Sequence, residues 1–328
     1  VFPEWSSLST EDFEWDDPKG FSSFTMAIRC LRDVDPPAVL YRRLGGKENA
    51  ILDFASEREV FLLLGEQHLA ARCLHYDEEC RIEEFYDGRT LTPRDLKDPI
   101  VLKGIAAELF RFHQLQPANL PEQTFFELLH SKWGGLARFV LEEQRHLFPP
   151  EEQAMCDDLR VIITDETAMK VQRCLPSSPL AFCHNDTYHG NVMMLANDDI
   201  KLLDFEFSCL NHPAFYFANL FAETVMKHGH QDPPYFSIGD PEYTQDDIST
   251  LVDHYLDCGT HKGDARVAER DRLVDETEHL IMLSDYMYAM AAIPLAVKPI
   301  QKIRFIPYAY ARWNRFLSAY ERRFGSEP

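Results

Sequence analysis

The chain has 328 residues, 45% of them hydrophobic, and a formal charge of −21. That composition supplies a sizeable core and suits two lobes. A surface so negative repels a phosphate backbone, which argues against nucleic-acid binding, and its first reading is the solubility charge of a cytosolic enzyme.

The opening residues, VFPEWSSLSTEDFEWDD, are acidic where a secretory leader needs basic residues before an apolar run, so no leader is expected. Residues 24–30 (FTMAIRC) and 38–44 (AVLYRRL) read as short strands separated by the turn-forming DVDPP. A helical pattern follows over residues 54–69, with Val60, Leu63, Leu64 and Leu69 near helical spacing. A strand over residues 81–85 (RIEEF) leads into YDGRTL, where Gly88 marks a hinge.

From about residue 93 the pattern is mainly helical. Residues 101–115 are strongly amphipathic, and long helices are expected near 121–147 and 151–174, the latter ended by Pro176 and Pro179. LAFC (residues 180–183) and IKLLDFEF (residues 200–207) read as a pair of short apolar strands. The stretch IMLSDYMYAMAAIPLAV contains Asp285 and Pro294 and reads as a buried helix, so no membrane span is expected. Eight cysteines without a CxxC pair or regular spacing predict reduced thiols rather than a disulfide or zinc framework.

The richest segment is FCHNDTYHGN, followed about ten residues later by IKLLDFE. Phosphoryl transfer needs a carboxylate close to the attacking hydroxyl and oxygen ligands that hold magnesium against the triphosphate. Asp186, on a short loop after a strand, is placed to accept the hydroxyl proton. Asn191 can reach a metal ion from the same loop, and Asp204 can bridge magnesium to the phosphates from the end of the next strand. His184 is expected to brace the loop. A zinc site of Cys183, His184 and His189 is disfavoured, because the histidines lack helical i, i+4 spacing and Cys183 alternates away from His184. The ordered set is the HxDxxxxN…D arrangement of the kinase superfamily.

HND followed by GN, then LLDFEFSCLNHPAFYFANLFAE, closely resembles the signature of the choline/ethanolamine kinases. An Asp-Phe-Glu replaces the Asp-Phe-Gly of protein kinases, and Asn211, Phe215, Asn219, Phe221 and Glu223 fall in register with the family's following run. RIEEFYDGRTL resembles its hinge and AVLYRRLGG its third strand.

The resemblance implies a two-lobed, protein-kinase-like α+β fold, with residues 1–87 covering ATP and residues 88–328 holding the substrate. It implies ATP and magnesium as cofactors, with Asp186 as the base and Asn191, Asp204 and Glu206 near the metal. Arg42 would meet the ATP phosphates, oriented by Glu57 or Glu59, and Glu84 and Phe85 would line the adenine. In the phosphate-covering loop, KGFSSFTM carries only Gly20, with Ser22 and Ser23 as backbone donors. Glu223 would face the substrate ammonium. The family's two cage tryptophans are missing from DYMYAMAAIPLAV, which leaves Phe207, Tyr286, Tyr288, Tyr308 and Tyr310 as candidate rings and Asp285 as a candidate acceptor. The substrate expected is ethanolamine or choline, with ethanolamine at least as good. Another amino alcohol, an aminoglycoside-like molecule and a non-catalytic scaffold are the alternatives, and a homodimer is left open.

Overall fold

The computed structural model describes residues 2–17, 24–44, 54–118, 120–297 and 303–325. Gly20, Ser22 and Ser23 lie outside them. The first part is a five-stranded antiparallel sheet, built from β1 (Phe13–Trp15), β2 (Phe24–Cys30), β3 (Ala38–Arg43), β4 (Cys73–Tyr76) and β5 (Cys80–Glu84) in the order β1-β2-β3-β5-β4. Helix α1 (Phe54–Glu66) crosses between β3 and β4. It stops three residues short of the expected end. The chain then turns so that Leu69 and Ala70 both donate to the Leu64 carbonyl and stay buried.

Pairing of β3 with β5 sets Arg42 opposite Arg81 and Leu40 opposite Glu83. Residues two apart share a face, so Arg42, Arg81 and Glu83 point the same way while Arg43 is exposed.

Beyond β5, β6 (Gly88–Thr90) leaves that sheet and pairs elsewhere. A Cβ on Gly88 would stand 2.5 Å from the Met194 carbonyl oxygen, so only glycine lets the two backbones approach so closely here.

Helix α2 (Pro99–His113) begins at Asp98, whose carboxylate accepts from the Ile100 N–H, with Pro99 in the first turn. It buries Val101, Leu102, Ile105, Leu109 and Phe112. Of the two long helices expected next, the first is shortened but continuous and the second is interrupted. The first runs as α3 (Phe125–Leu128), a π-helical turn Leu129–Trp133 and α4 (Gly134–Glu142), with right-handed helical backbone at both joins. The second becomes α5 (Pro150–Leu159) and α6 (Asp165–Cys174), divided where Thr164 caps α6.

The expected strand pair does not pair with itself. β7 (Ala181–Cys183) joins β10 (Cys209–Asn211), while β8 (Val192–Leu195) joins β6 and β9 (Ile200–Leu202) in a second small sheet. The segment between β7 and β9 is long enough to contain a strand of its own, and that strand takes β9's edge.

Helix α7 (Pro213–Ala222) is buried on all sides. After the hairpin β11 (Met226–His228) and β12 (Phe236–Ile238) come α8 (Gln245–Asp257), α9 (Gly263–Leu295) and α10 (Phe305–Phe324). α9 packs against both α7 and α10. Phe112, Phe182 and Phe205 stack under the loop after β7, Phe112 and Phe182 with centroids 4.9 Å apart. Among the described residues every cysteine is free, and no helix is long and apolar enough to cross a membrane.

Candidate active site

The loop after β7 is tied down on three sides. Asn185 takes a left-handed conformation with φ 67°, which asparagine tolerates, and so turns Asp186 out of the strand direction. Its amide donates to the Phe207 carbonyl at 2.9 Å and accepts from Asn211 at 2.8 Å. Asn219 of α7 donates to the Thr187 carbonyl at 3.3 Å. The two asparagines of the family-like run therefore fasten the loop.

His184 is fully buried. Its Nε2–H donates to the Leu203 carbonyl at 2.7 Å and its Nδ1 accepts the Asp186 N–H at 3.3 Å, an arrangement open only to the neutral ring. Burial lowers its pKa to about 4. It joins the backbone of Asp186 to the residue before Asp204.

The carboxylate of Asp186 accepts from the Tyr288 hydroxyl at 2.6 Å through Oδ1 and from the Asn191 amide at 2.9 Å through Oδ2. Burial raises its pKa to about 8, helped by the charges of Asp204 and Glu223 and opposed by the Tyr288 and Asn191 bonds.

Asp204 follows β9 with φ 64°, a strained setting for a residue other than glycine. Arg42 Nη1 donates to its Oδ1 at 3.1 Å. Glu206, half-buried, adds its field at Arg42. Asn191 commits its Nδ2 to Asp186, which leaves Oδ1 for another partner. The donors are an amide oxygen and two carboxylates, hard ligands of the kind magnesium takes beside phosphate oxygens. The negative charge that lifts Asp186, and the guanidinium held against Asp204, mark a place that suits a cation. Asn191, Asp204 and Glu206 therefore fit magnesium.

In the sheet, Arg42 Nε lies 3.5 Å from Glu83, which also takes the Arg81 Nε at 2.7 Å. Glu57 reaches Arg81 at 3.4 Å, and its charge is felt at Arg42. Glu59, two residues on, is on the exposed side of α1. Glu57 thus joins the cluster through Arg81, and Glu83, which sequence reasoning missed, is the carboxylate set between the two arginines. Glu84 ends β5 with its N–H given to the Arg72 carbonyl at 2.9 Å. Phe85 follows it, with the Arg29 guanidinium 4.8 Å above its ring.

The substrate end departs most from expectation. Glu223 is buried and accepts from Arg312 Nη2 at 2.5 Å, and Asp285 accepts from Arg312 Nη1 at 2.9 Å and from Arg315 Nε at 3.1 Å. Arg312 is fully buried and also donates to the Tyr308 hydroxyl, at 2.9 Å from Nη2. Its guanidinium carbon stands 4.9 Å from the Tyr288 centroid and 5.2 Å from that of Tyr308. Glu223 and Asp285, expected to serve the substrate ammonium, face an internal cation first.

Tyr286 does not join this group. Two residues along a helix turn about 200°, so Tyr286 points away from Tyr288 into the core against Phe126 and Phe316, its hydroxyl 3.3 Å from His130. Phe207 packs edge-on to Trp133, also in the core. Tyr216 is fully buried beside His184. The signal for Arg312 was its i, i+4 spacing from Tyr308 on an otherwise apolar face.

Residues 20–317 match the family model for choline/ethanolamine kinase. A human protein named choline/ethanolamine kinase is 25% identical over 292 residues, 85% of this chain and 72% of its own length. An Arabidopsis thaliana protein named probable ethanolamine kinase is 23% identical over 325 residues, 96% of this chain and 82% of its own length. The crystal structure of a choline kinase from Cryptosporidium parvum superposes with a TM-score of 0.78 at 19% identity, covering 98% of this chain and 92% of that one. The fold is thus the two-lobed protein-kinase-like one, and the chain belongs to the choline/ethanolamine kinase family.

Proposed function

We propose that the chain transfers the γ-phosphoryl group of ATP to the hydroxyl of ethanolamine or choline, giving the phospho-amino-alcohol used for phospholipid head groups. The reaction runs in the cytoplasm. Residues 1–87 cover the nucleotide and residues 88–328 hold the alcohol. The observation that carries this reading is the Asp186 carboxylate, buried and held at both oxygens, with Asn191 on its own loop and Asp204 on the next.

Asp186 orients the alcohol and takes its proton as the oxygen attacks. The Tyr288 and Asn191 bonds fix the carboxylate's rotation, so that little reorganisation accompanies the transfer. Asn191, Asp204 and Glu206 would hold magnesium. When bound, magnesium neutralises charge on the phosphates. Arg42, kept extended by Glu83, would meet the phosphates from above.

The amine pocket favours a primary ammonium. Arg312 already stands against the Tyr288 and Tyr308 rings, so the cation–π surface offered to a quaternary group is reduced. Glu223 gives only Oε1 to Arg312, leaving Oε2 as an acceptor for N–H donors. Initial rates with Mg-ATP and ethanolamine, its mono- and dimethyl derivatives and choline test this. The kcat/KM for ethanolamine should at least equal that for choline. A strong preference for choline would contradict the pocket assignment.

A further inference from the structure

Asp285 has two sides. From within it holds Arg312, and from without it receives Arg315, a residue on the wall of a cavity of about 770 Å³ between α8, α9 and α10. The α9 wall carries Asp275, Glu278 and Asp285, spaced three and seven residues apart and therefore on one helical face. The α10 wall carries Arg315, Arg322 and Arg323, spaced seven and eight apart and likewise on one face. Asp275, Glu278, Arg322 and Arg323 are exposed, and among the described residues no ion pair joins the first two to the last two. An acidic wall and a basic wall thus line one cavity without closing on each other.

We propose that this cavity is a second ligand site, for a small zwitterion carrying a phosphate monoester and an ammonium group. The phosphate meets Arg322 and Arg323, with Arg315 beneath, since guanidinium forks match phosphate oxygens in pairs. The ammonium meets Asp275 and Glu278. A simple anion satisfies one wall and is repelled by the other; a zwitterion satisfies both. The product of the reaction proposed above is such a molecule, and its identification as the ligand rests on that reading.

The site is wired to the catalytic loop. Asp285 divides its charge between Arg315 and Arg312, Arg312 holds Glu223 and touches the Tyr288 ring, and Tyr288 donates to Asp186. A phosphate that draws Arg315 outward changes the share of Asp285 left to Arg312.

Equilibrium dialysis of the full chain with phosphoethanolamine tests the site. Wild type should bind two molecules per chain, one at the catalytic centre and one in the cavity. The Arg322→Ala/Arg323→Ala variant should lose one of them, and Asp275→Asn/Glu278→Gln should do the same. Both pairs are exposed and lie outside the catalytic group, so turnover should be unchanged at low product. Inorganic phosphate should bind the cavity more weakly than phosphoethanolamine. If the kinase reading fails and the catalytic centre binds nothing, the count should fall from one to none instead. Equal binding by wild type and both variants would overturn the second site whatever the enzyme's activity.

Discussion

Burial lifts the Asp186 carboxyl to about 8, while Tyr288 and Asn191 pull it back by donating to the charged form. Two outcomes follow at this scale. Asp186→Asn keeps the shape and the Asn191 contact but cannot accept a proton. It should lower kcat by about 10²–10⁴, with ATP affinity within a few fold in a nucleotide-binding titration. Near-full turnover would show that another group takes the proton. Tyr288→Phe removes a hydrogen bond that favours the carboxylate, so the Asp186 pKa should rise. The acid limb of the kcat/KM profile should then move to higher pH, and an unmoved limb would separate Tyr288 from the base.

At the scale of elements, the junction of α7, α9 and α10 rests on one buried cation. Arg312→Met would leave Glu223 and Asp285 buried with less compensation, Asp285 keeping only Arg315. Breaking such a cluster costs about 3–5 kcal/mol, which should appear as a clear fall in the urea midpoint. An unchanged midpoint would mean that the cluster relaxes into water.

Helix α2 offers a pH test. His113 is buried, bonded through Nδ1 to the Tyr255 hydroxyl at 2.9 Å, and its pKa is lowered to about 3 by burial. The unfolded chain protonates this ring near pH 6.5 and the folded chain does not. Stability from His113 is therefore complete above pH 6.5 and is lost as pH falls toward 3, by up to about 1.4 kcal/mol per pH unit. Other groups titrate in the same window, so the measurement is a difference. Between pH 6.5 and 5, wild type should lose more stability than His113→Gln. Parallel profiles would contradict a neutral buried ring.

Elements were legible where local pattern decided them. Strand β2 was read to its observed ends, and the amphipathic stretch over residues 101–115 falls within two residues of α2 at each end. The helix expected over 121–147 is shorter at both ends, covering residues 125–142, and the one expected over 151–174 breaks at Thr164, where capping competes with a continuous apolar stripe. The pairing of β7 with β10 depends on a strand of three residues far along the chain, too short for alternation to reveal.

For the whole molecule, the grouping of Asp186, Asn191 and Asp204 was readable because its parts are close in sequence: Asp186 and Asn191 share a loop, and Asp204 follows one hairpin later. The amine end was not. Arg312 and Glu223 are 89 residues apart, and the charge state of a pocket is a property of the assembled fold. The sequence order of Glu223 does not reveal the guanidinium that α10 brings to it. The same closure sets Tyr288, not Tyr286, against the Asp186 carboxylate.

The central claim is that Asp186 serves phosphoryl transfer from ATP to an amino alcohol. ADP release with Mg-ATP, in the presence and absence of ethanolamine, comparing wild type with Asp186→Asn, tests it most directly. The account predicts release that depends on ethanolamine in wild type and is reduced by orders of magnitude in the variant. Release with neither ethanolamine nor choline, or equal release from the two proteins, would contradict it.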